Sequence, residues 1–331
     1  MTNAVISGMG SYVPPKILDN AMLEKMVDTS NEWIIERTGI ERRHILEEGQ
    51  FGSDMAVNAA LDALKNAETN AEDVDLILCS TLTADYLTPT NACIVQGAIG
   101  ATHAAAVDLN AACSGFIYAL SMAKAYILSG EYKTILIISV EAMSKVVEWK
   151  DRSTCVLFGD AAGAAVVTAT QEDYGIIKTS LGANGANGMS LTIPNVKVTE
   201  DELAKRSSGN PRTFWMDGSE VFKFAVRTMV ASVQEMLGGL GKSTQDIDIL
   251  VPHQANLRII DAARKRLKLP EEQVLCYIQD YGNVSSACIP ITICRALKEG
   301  RIKDGDNVVL VGFGGGLTWG SALIKWKAIK K

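Results

Sequence analysis

The feature of this sequence that most restricts its fold is a long internal repeat. "AEDVDLIL" at 71–78 resembles "TQDIDILV" at 244–251, an offset of 173, and each block follows an amphipathic helical pattern. "ILSGEYKTILIIS" at 127–139 parallels "LKEGRIKDGDNVVLVG" at 297–312, starting at an offset of 170 and reaching 173 after a three-residue insertion. Two matching blocks in the same order point to duplication of a large unit, not to a solenoid, whose period is about 20–50 residues. Short apolar runs rich in β-branched residues (74–81, 133–140, 164–170, 247–253, 307–314) alternate with helical patterns such as 53–66 and 219–237. That alternation predicts α/β layers. The 331 residues suffice for two halves, placed at 1–175 and 176–331. Residues 182–218 are rich in Gly, Asn, Ser and Pro and have no sustained period, which reads as a functional loop or a plain connector.

The repeat bears directly on "DLNAACSGF" at 108–116. The offset of 170 carries Cys113 onto Asn283, and both precede a helix that ends at a glycine, Gly130 and Gly300. A duplicated fold would bring two helix N-termini, and the polar groups on them, toward one pseudo-twofold axis. Cys113 has two readings. A free cysteine is commonly a small buried hydrophobe. At a helix N-terminus, unpaired N–H groups and the helix dipole favour thiolate, which predicts a lowered pKa and a nucleophile. Of the seven cysteines (79, 93, 113, 155, 276, 288, 294) Cys113 is singled out by this setting, since Cys79 lies in a strand and Cys288 and Cys294 lie within a helix. Among the three histidines, His44 sits in the charged run "RTGIERRHI", read as surface, and His103 near a helix end. His253 ends the strand "IDILVPH", where open α/β sheets bind ligands. "GFGGGLTWG" (312–320) reads as a strand-joining turn or as half of an oxyanion hole. "SGMGSYVP" (7–14) lacks the third glycine of a dinucleotide fingerprint.

Composition narrows the function classes. The net charge of −6 argues against a general nucleic-acid binder. The cysteines form no C-x-x-C pair, so a zinc knuckle or thioredoxin-like motif is not available. The opening "MTNAVISGMGSYVPP" has no basic segment followed by an apolar one, and no run is read as a membrane span. The expectation is a reduced, soluble, cytoplasmic protein without membrane or nucleic-acid partners.

Taken in order, "TSNEWIIERTGIERRHI" (29–45), "AACSGF" (111–116), "FGDAAGAAV" (158–166), "VPHQANLRII" (251–260), "YGNVSSA" (281–287) and "GFGGGLTWG" resemble the β-ketoacyl-acyl-carrier-protein synthase III family over nearly the whole chain. The resemblance implies the thiolase-like fold, α/β in five αβαβα layers built from two duplicated halves, and a homodimer. It implies the decarboxylative condensation of a short acyl-CoA with malonyl-acyl carrier protein, without cofactor or metal. By the same resemblance Cys113, His253 and Asn283 form a catalytic triad, and the N–H groups of Cys113 and Gly316 form the oxyanion hole. Trp33, Arg37 and Arg152 would hold the coenzyme A adenine and phosphates, Asn256 would contact the pantetheine, and Thr88 would bound the primer pocket. Leu317 stands where an aromatic residue is common in the family.

One basic cluster stands out in this acidic chain. "QANLRIIDAARKRLK" (254–268) carries Arg258, Arg264, Lys265, Arg266 and Lys268 just after His253, with Arg258 and Lys265 on nearly one helix face. Arg258, Lys265 and Arg266, with Lys223, which the resemblance to the family adds, form the expected docking surface for an acidic carrier protein. The competing readings are a condensing enzyme of secondary metabolism or of the HMG-CoA synthase kind, and a non-catalytic acyl-CoA binder on the same scaffold.

Overall fold

The computed structural model describes residues 2–206 and 209–329. Two sheets form the frame. The first has five strands in the order Asn3–Tyr12, Asp160–Thr170, Thr134–Ala142, Leu76–Ser80, Ala105–Leu109. The second has four, in the order Ile249–Pro252, Asn307–Gly314, Thr318–Lys325, Gly175–Ala183. In each sheet the strands that precede a buried helix pair in parallel, and the outer hairpin strands pair antiparallel. All five residues of Leu76–Ser80 are buried, as a parallel strand covered on both faces requires.

Five layers result. The helices Gly115–Ser129 and Cys288–Lys298 lie between the sheets, where Phe116, Ile117, Leu120, Ile289 and Ile293 share one core with the inner faces of both. Gly52–Asn66 covers the outer face of the first sheet through Met55, Ala59, Ala60 and Ala63. Gly218–Gly238 and Leu257–Leu267 cover the second through Met229, Val233, Ile259 and Ala263. This is the thiolase-like arrangement of duplicated halves.

The run Ala112–Ser129 does have the length and apolarity of a membrane span, contrary to the reading of the sequence. Its apolarity is explained by position, because it forms the central layer between two sheets and half of it is buried there.

The structure also corrects the alignment of the halves at the key turn. The 3-10 turn Ala112–Ser114 precedes one central helix, and Ser285–Ala287 precedes the other. Their first residues, Ala112 and Ser285, share an unusual positive φ of 46° and 48°. The same side chain-to-backbone turn leads into each: Ala112 N–H donates to Asn110 Oδ1 (3.1 Å), and Ser285 N–H to Asn283 Oδ1 (2.9 Å). The offset here is therefore 173, not 170. Ser286 is the counterpart of Cys113, and Asn110 that of Asn283. The offset drops to 170 only at the helix ends Gly130 and Gly300, and the three-residue insertion that restores 173 falls between them and the next strands.

The segment after the Gly175–Ala183 strand is a folded wall. A two-residue strand Leu191–Thr192 pairs with Trp215–Met216, and buried Arg206 ties the segment to Glu202 and to the Thr192 and Thr213 carbonyls.

Candidate active site

A cavity of about 790 Å³, counted out to its mouth, opens where the two halves meet. Cys113, His253 and Asn283 all line it, and its walls are apolar: Leu157, Phe158, Leu191, Phe214, Met216 and Phe222. Leu191, Phe214 and Met216 come from the segment 182–218, so that segment is a wall of the site rather than a plain connector.

Cys113 sits in the turn that starts a central helix. The backbone there is tightly confined: a Cβ at Gly115 would lie 1.8 Å from Ser80 Oγ, and one at Gly314 would lie 2.6 Å from the Cys113 nitrogen. Only glycine lets these segments approach so closely. The thiol is half-buried, and burial pushes its pKa up to about 12, against the lowering expected from a helix start. The Ser285 side chain beside the sulfur acts the other way, and the nearby Glu141 carboxylate adds to the rise. Desolvation outweighs the favourable terminus because an anion there loses most of its water. The resting sulfur is a thiol.

His253 follows the strand Ile249–Pro252 and is held by its N–H to the Val311 carbonyl (2.8 Å). Its ring stands edge-on to Phe313, with centroids 5.4 Å apart. The side chain is 1 % exposed, and Nδ1 has no hydrogen-bond partner among the described residues. Burial lowers its pKa from 6.5 to about 3, so the ring is neutral. Gln254 fixes the loop, donating to Pro252 and Leu275 carbonyls and accepting from Tyr277 N–H. Asn283 is pinned by backbone bonds to Leu157 and Gly159. Its Oδ1 is taken by Ser285 N–H, which leaves the Nδ2 donors to the cavity.

Beside Asn256, which lines the cavity, the structure gathers Arg37, Trp33 and Arg152. Ser30 caps the helix Asn31–Thr38 by accepting from Trp33 N–H. The guanidinium of Arg152 lies 5.3 Å from the Trp33 ring centroid, and that of Arg37 lies 6.0 Å away. Asn256 lines the cavity, caps the helix Leu257–Leu267 and donates to the Arg37 carbonyl (2.9 Å). An aromatic ring flanked by two cations at an apolar channel suits a planar, anionic ligand.

Two expected site residues are absent from the wall of this cavity. Gly314 and Gly315 line the cavity, whereas Gly316 does not; its carbonyl would lie 2.7 Å from a Cβ on Gly188, so it packs against the 185–190 turn. The glycines of this turn that reach the cavity wall are Gly314, which packs against the Cys113 backbone, and Gly315. Thr88 is exposed on the loop after Leu76–Ser80 and is absent from the cavity wall of this chain. The residue spacing to Cys113 located the loop, but the loop turns outward.

The basic residues divide by partner. Lys223 pairs with Glu220 (2.9 Å), and Lys265 with Asp261 (3.1 Å), which also binds Arg264. Arg258 lies 6.0 Å from the ring of Phe222, a cavity-wall residue, so it stands at the mouth. Neither Arg258 nor Arg266 has an ion pair among the described residues.

Reading the sequence did not single out Glu141, Ser285 or Gln254. Glu141 had a visible signal, a lone carboxylate ending the apolar run "TILIISVEA".

A half-buried thiol, a neutral histidine and an asparagine thus meet at the junction of the two halves of a thiolase-like fold. Residues 107–185 match the family 3-oxoacyl-[acyl-carrier-protein (ACP)] synthase III, and residues 238–326 match its C-terminal part. The beta-ketoacyl-[acyl-carrier-protein] synthase III of Caldanaerobacter subterraneus subsp. tengcongensis is 48% identical over 323 residues, 98% of each chain. The crystal structure of 3-oxoacyl-[acyl-carrier-protein] synthase III from Aquifex aeolicus VF5 superposes with a TM-score of 0.91 at 43% identity, covering 98% of this chain and 100% of that one. The structure of the beta-ketoacyl-[acyl carrier protein] synthase III from Thermus thermophilus gives 0.92 at 44% identity, covering 97% of this chain and 99% of that one. The chain belongs to the β-ketoacyl-acyl-carrier-protein synthase III family. It is an acyltransferase of the initiating condensation in type II fatty-acid synthesis.

A neutral His253 has a direct signature. Its ring resonances, assigned by their loss in His253→Ala, will stay constant from pH 8 to pH 5; a titration near pH 6 contradicts the burial argument. The folded pKa lies below the unfolded one, so the folded state is favoured by this group above pH 6.5 and loses that advantage as pH falls toward 3.

Proposed function

We propose that Cys113 carries the acyl group and that His253 and Asn283 drive decarboxylation. The observation that supports this most is the convergence of all three on one apolar cavity. In the first half-reaction Cys113 Sγ attacks the thioester carbon of a short acyl-CoA. The C–S bond to coenzyme A breaks, and the thiol proton ends on the released coenzyme A. N–H groups of Cys113 and Gly315 are the donors proposed for the oxyanion. Trp33, Arg37, Arg152 and Asn256 are the proposed coenzyme A contacts. The site that receives this charge is largely dry, so fixed donors act there more strongly than in water.

In the second half-reaction malonyl-acyl carrier protein takes the place of coenzyme A. Its carboxylate leaves as CO2, and the electron pair of the broken C–C bond moves into an enolate. Neutral His253 and Asn283 Nδ2 donate to the enolate oxygen. The enolate carbon attacks the acyl-Cys113 carbonyl, and the collapsing intermediate expels the Cys113 thiolate, which takes up one proton. Charged imidazolium is not needed, in keeping with the low pKa of His253. The electron pair comes from the substrate, so the scheme requires no cofactor.

A homodimer is part of this reading. The edge strand Ala105–Leu109 leaves its outer side unpaired among the described strands and exposes Val107, and the neighbouring loop exposes Tyr86 and Leu87. Such an edge is commonly covered by a second copy. Light scattering is expected to give twice the chain mass of 35.5 kDa; the monomer mass at micromolar concentration contradicts it.

Cys113→Ala is expected to lose acyl transfer and to take no covalent label from radiolabelled acetyl-CoA; stable label on that variant moves the nucleophile elsewhere. His253→Ala and Asn283→Ala are expected to keep acylation while losing decarboxylation by about 10²–10³, the usual effect of removing one such donor. Normal CO2 release by either variant removes it from the scheme.

For the carrier protein, Arg258 at the mouth and Lys223 are the proposed docking cations, extended by Lys265 and Arg266. Lys265 contributes least, because Asp261 neutralises it. Arg258→Glu is expected to weaken malonyl-acyl carrier protein binding by about tenfold or more and to spare acylation by acetyl-CoA. The wild-type affinity is expected to fall as salt rises, since exposed charges are screened beyond about 8–10 Å. Equal losses in both half-reactions, or an affinity indifferent to salt, would count against this surface.

A further inference from the structure

Directly behind Cys113 lies a carboxylate that the scheme above does not use. Glu141 ends the strand Thr134–Ala142 and is fully buried. Its Oε2 accepts from Leu82 N–H (3.1 Å) and Thr83 Oγ1 (3.1 Å), both on the loop after Leu76–Ser80. Its Oε1 accepts from Ser285 Oγ (3.1 Å), Ser286 Oγ (2.6 Å) and Ser286 N–H (3.4 Å). One side chain therefore binds the first half to the turn in the second half that follows Asn283.

The duplication explains why this position matters. At the offset of 173 the counterpart of Glu141 is Gly314, and that of Cys113 is Ser286. Gly314 leaves the region of the Cys113 nitrogen open, since any Cβ there would stand 2.6 Å from it. In the mirrored position Glu141 fills the equivalent space and takes the Ser286 N–H. One copy of the ancestral site is open; the other is plugged by a carboxylate.

We propose that Glu141 is a positioning residue for the decarboxylation step: by holding Ser285 and Ser286 it fixes the turn whose Ser285 N–H grips Asn283 Oδ1, and so aims Asn283 Nδ2 into the cavity. The proposal rests on the role given to Asn283 above. Ser285 is in the left-handed region, φ 48°, where a serine stays only when its surroundings hold it. Glu141 is among the strongest of those holds. Burial raises its pKa to about 7. The titratable groups facing it are the thiols of Cys113, Cys79 and Cys288, all held protonated by burial.

Glu141→Gln tests this with almost no change of shape. Each carboxylate oxygen receives a backbone N–H, from Leu82 on one side and Ser286 on the other. The amide nitrogen of glutamine must therefore face a donor whichever way it turns. Purified Glu141→Gln is expected to release CO2 from malonyl-acyl carrier protein about 10- to 100-fold more slowly, since displacement of a catalytic group by about 1 Å costs up to that much. Acylation of Cys113 by acetyl-CoA, and the KM for it, should change less than about threefold. Wild-type decarboxylation should rise with pH through about 7 as the carboxyl ionises, and the glutamine variant should lack that limb. Ser286→Ala, which keeps the carboxylate but removes its shortest bond, should reproduce the split between half-reactions in milder form. Should the glutamine variant fail to fold, Ser286→Ala alone decides. Wild-type CO2 release by both variants, or equal losses in both half-reactions with a fallen Tm, overturns the proposal. Asn283→Ala run alongside separates the two readings: if it decarboxylates normally the triad is wrong, and if it alone is slow only the role of Glu141 is wrong.

Discussion

The structure depends on how closely two helix starts can approach within one dry layer. The turns at Ala112–Ser114 and Ser285–Ala287 face each other between the sheets, and the space between them is set by what is missing. Gly115 has no Cβ because Ser80 is there, and Gly314 has none because the Cys113 backbone is there. The apolar packing of Phe116, Ile117, Ile289 and Ile293 presses these turns together from behind. Burial of such side chains stabilises a fold by roughly 1.5–3 kcal/mol each, so the layer is stiff enough to hold two strained residues, Ala112 and Ser285, at positive φ.

The same dryness sets the charges. Burial keeps the Cys113 thiol protonated and the His253 ring neutral, and it lifts Glu141 toward neutrality. In a resting site with this balance, charge arises mainly when substrate brings it or bond breaking creates it. In the proposed scheme enolate and tetrahedral oxyanions are then met by neutral donors already in place, with no reorganisation of ions. Charge is kept at the rim instead, where Arg37 and Arg152 flank Trp33 and Arg258 stands over Phe222.

Duplication gave two equivalent turns, and small substitutions made them different. Cys113 faces Ser286, Asn283 faces Asn110, His253 faces Ser80, and Gly314 faces Glu141 across the offset of 173. The open site takes Cys113 from one half and His253 and Asn283 from the other. Neither half carries it alone.

The sequence by itself determined the duplication, the α/β layering, and two of the residues that gather at the junction, because apolar period and strand-end position are local properties of a chain; it reached Asn283 through an offset of 170 that the structure replaces with 173. It identified Cys113 by its place before a helix and His253 by its place after a strand. It could not decide the sign of the Cys113 pKa shift, since desolvation depends on walls contributed by Leu157, Phe158, Phe214 and others distant in sequence. Nor could it tell Gly315 from Gly316, or show that the Thr88 loop points away, because a shift of one residue in a turn reverses which backbone groups face the cavity. Arg43, in the charged run "RTGIERRHI" read as surface, is fully buried against the carbonyls of Leu18 and Val156 and the Asn20 amide. Glu141 belongs to the same class. A charge in an apolar strand is visible in the sequence, but the donors that make its burial tolerable come from positions 82, 83, 285 and 286, and only the tertiary structure brings them to one carboxylate.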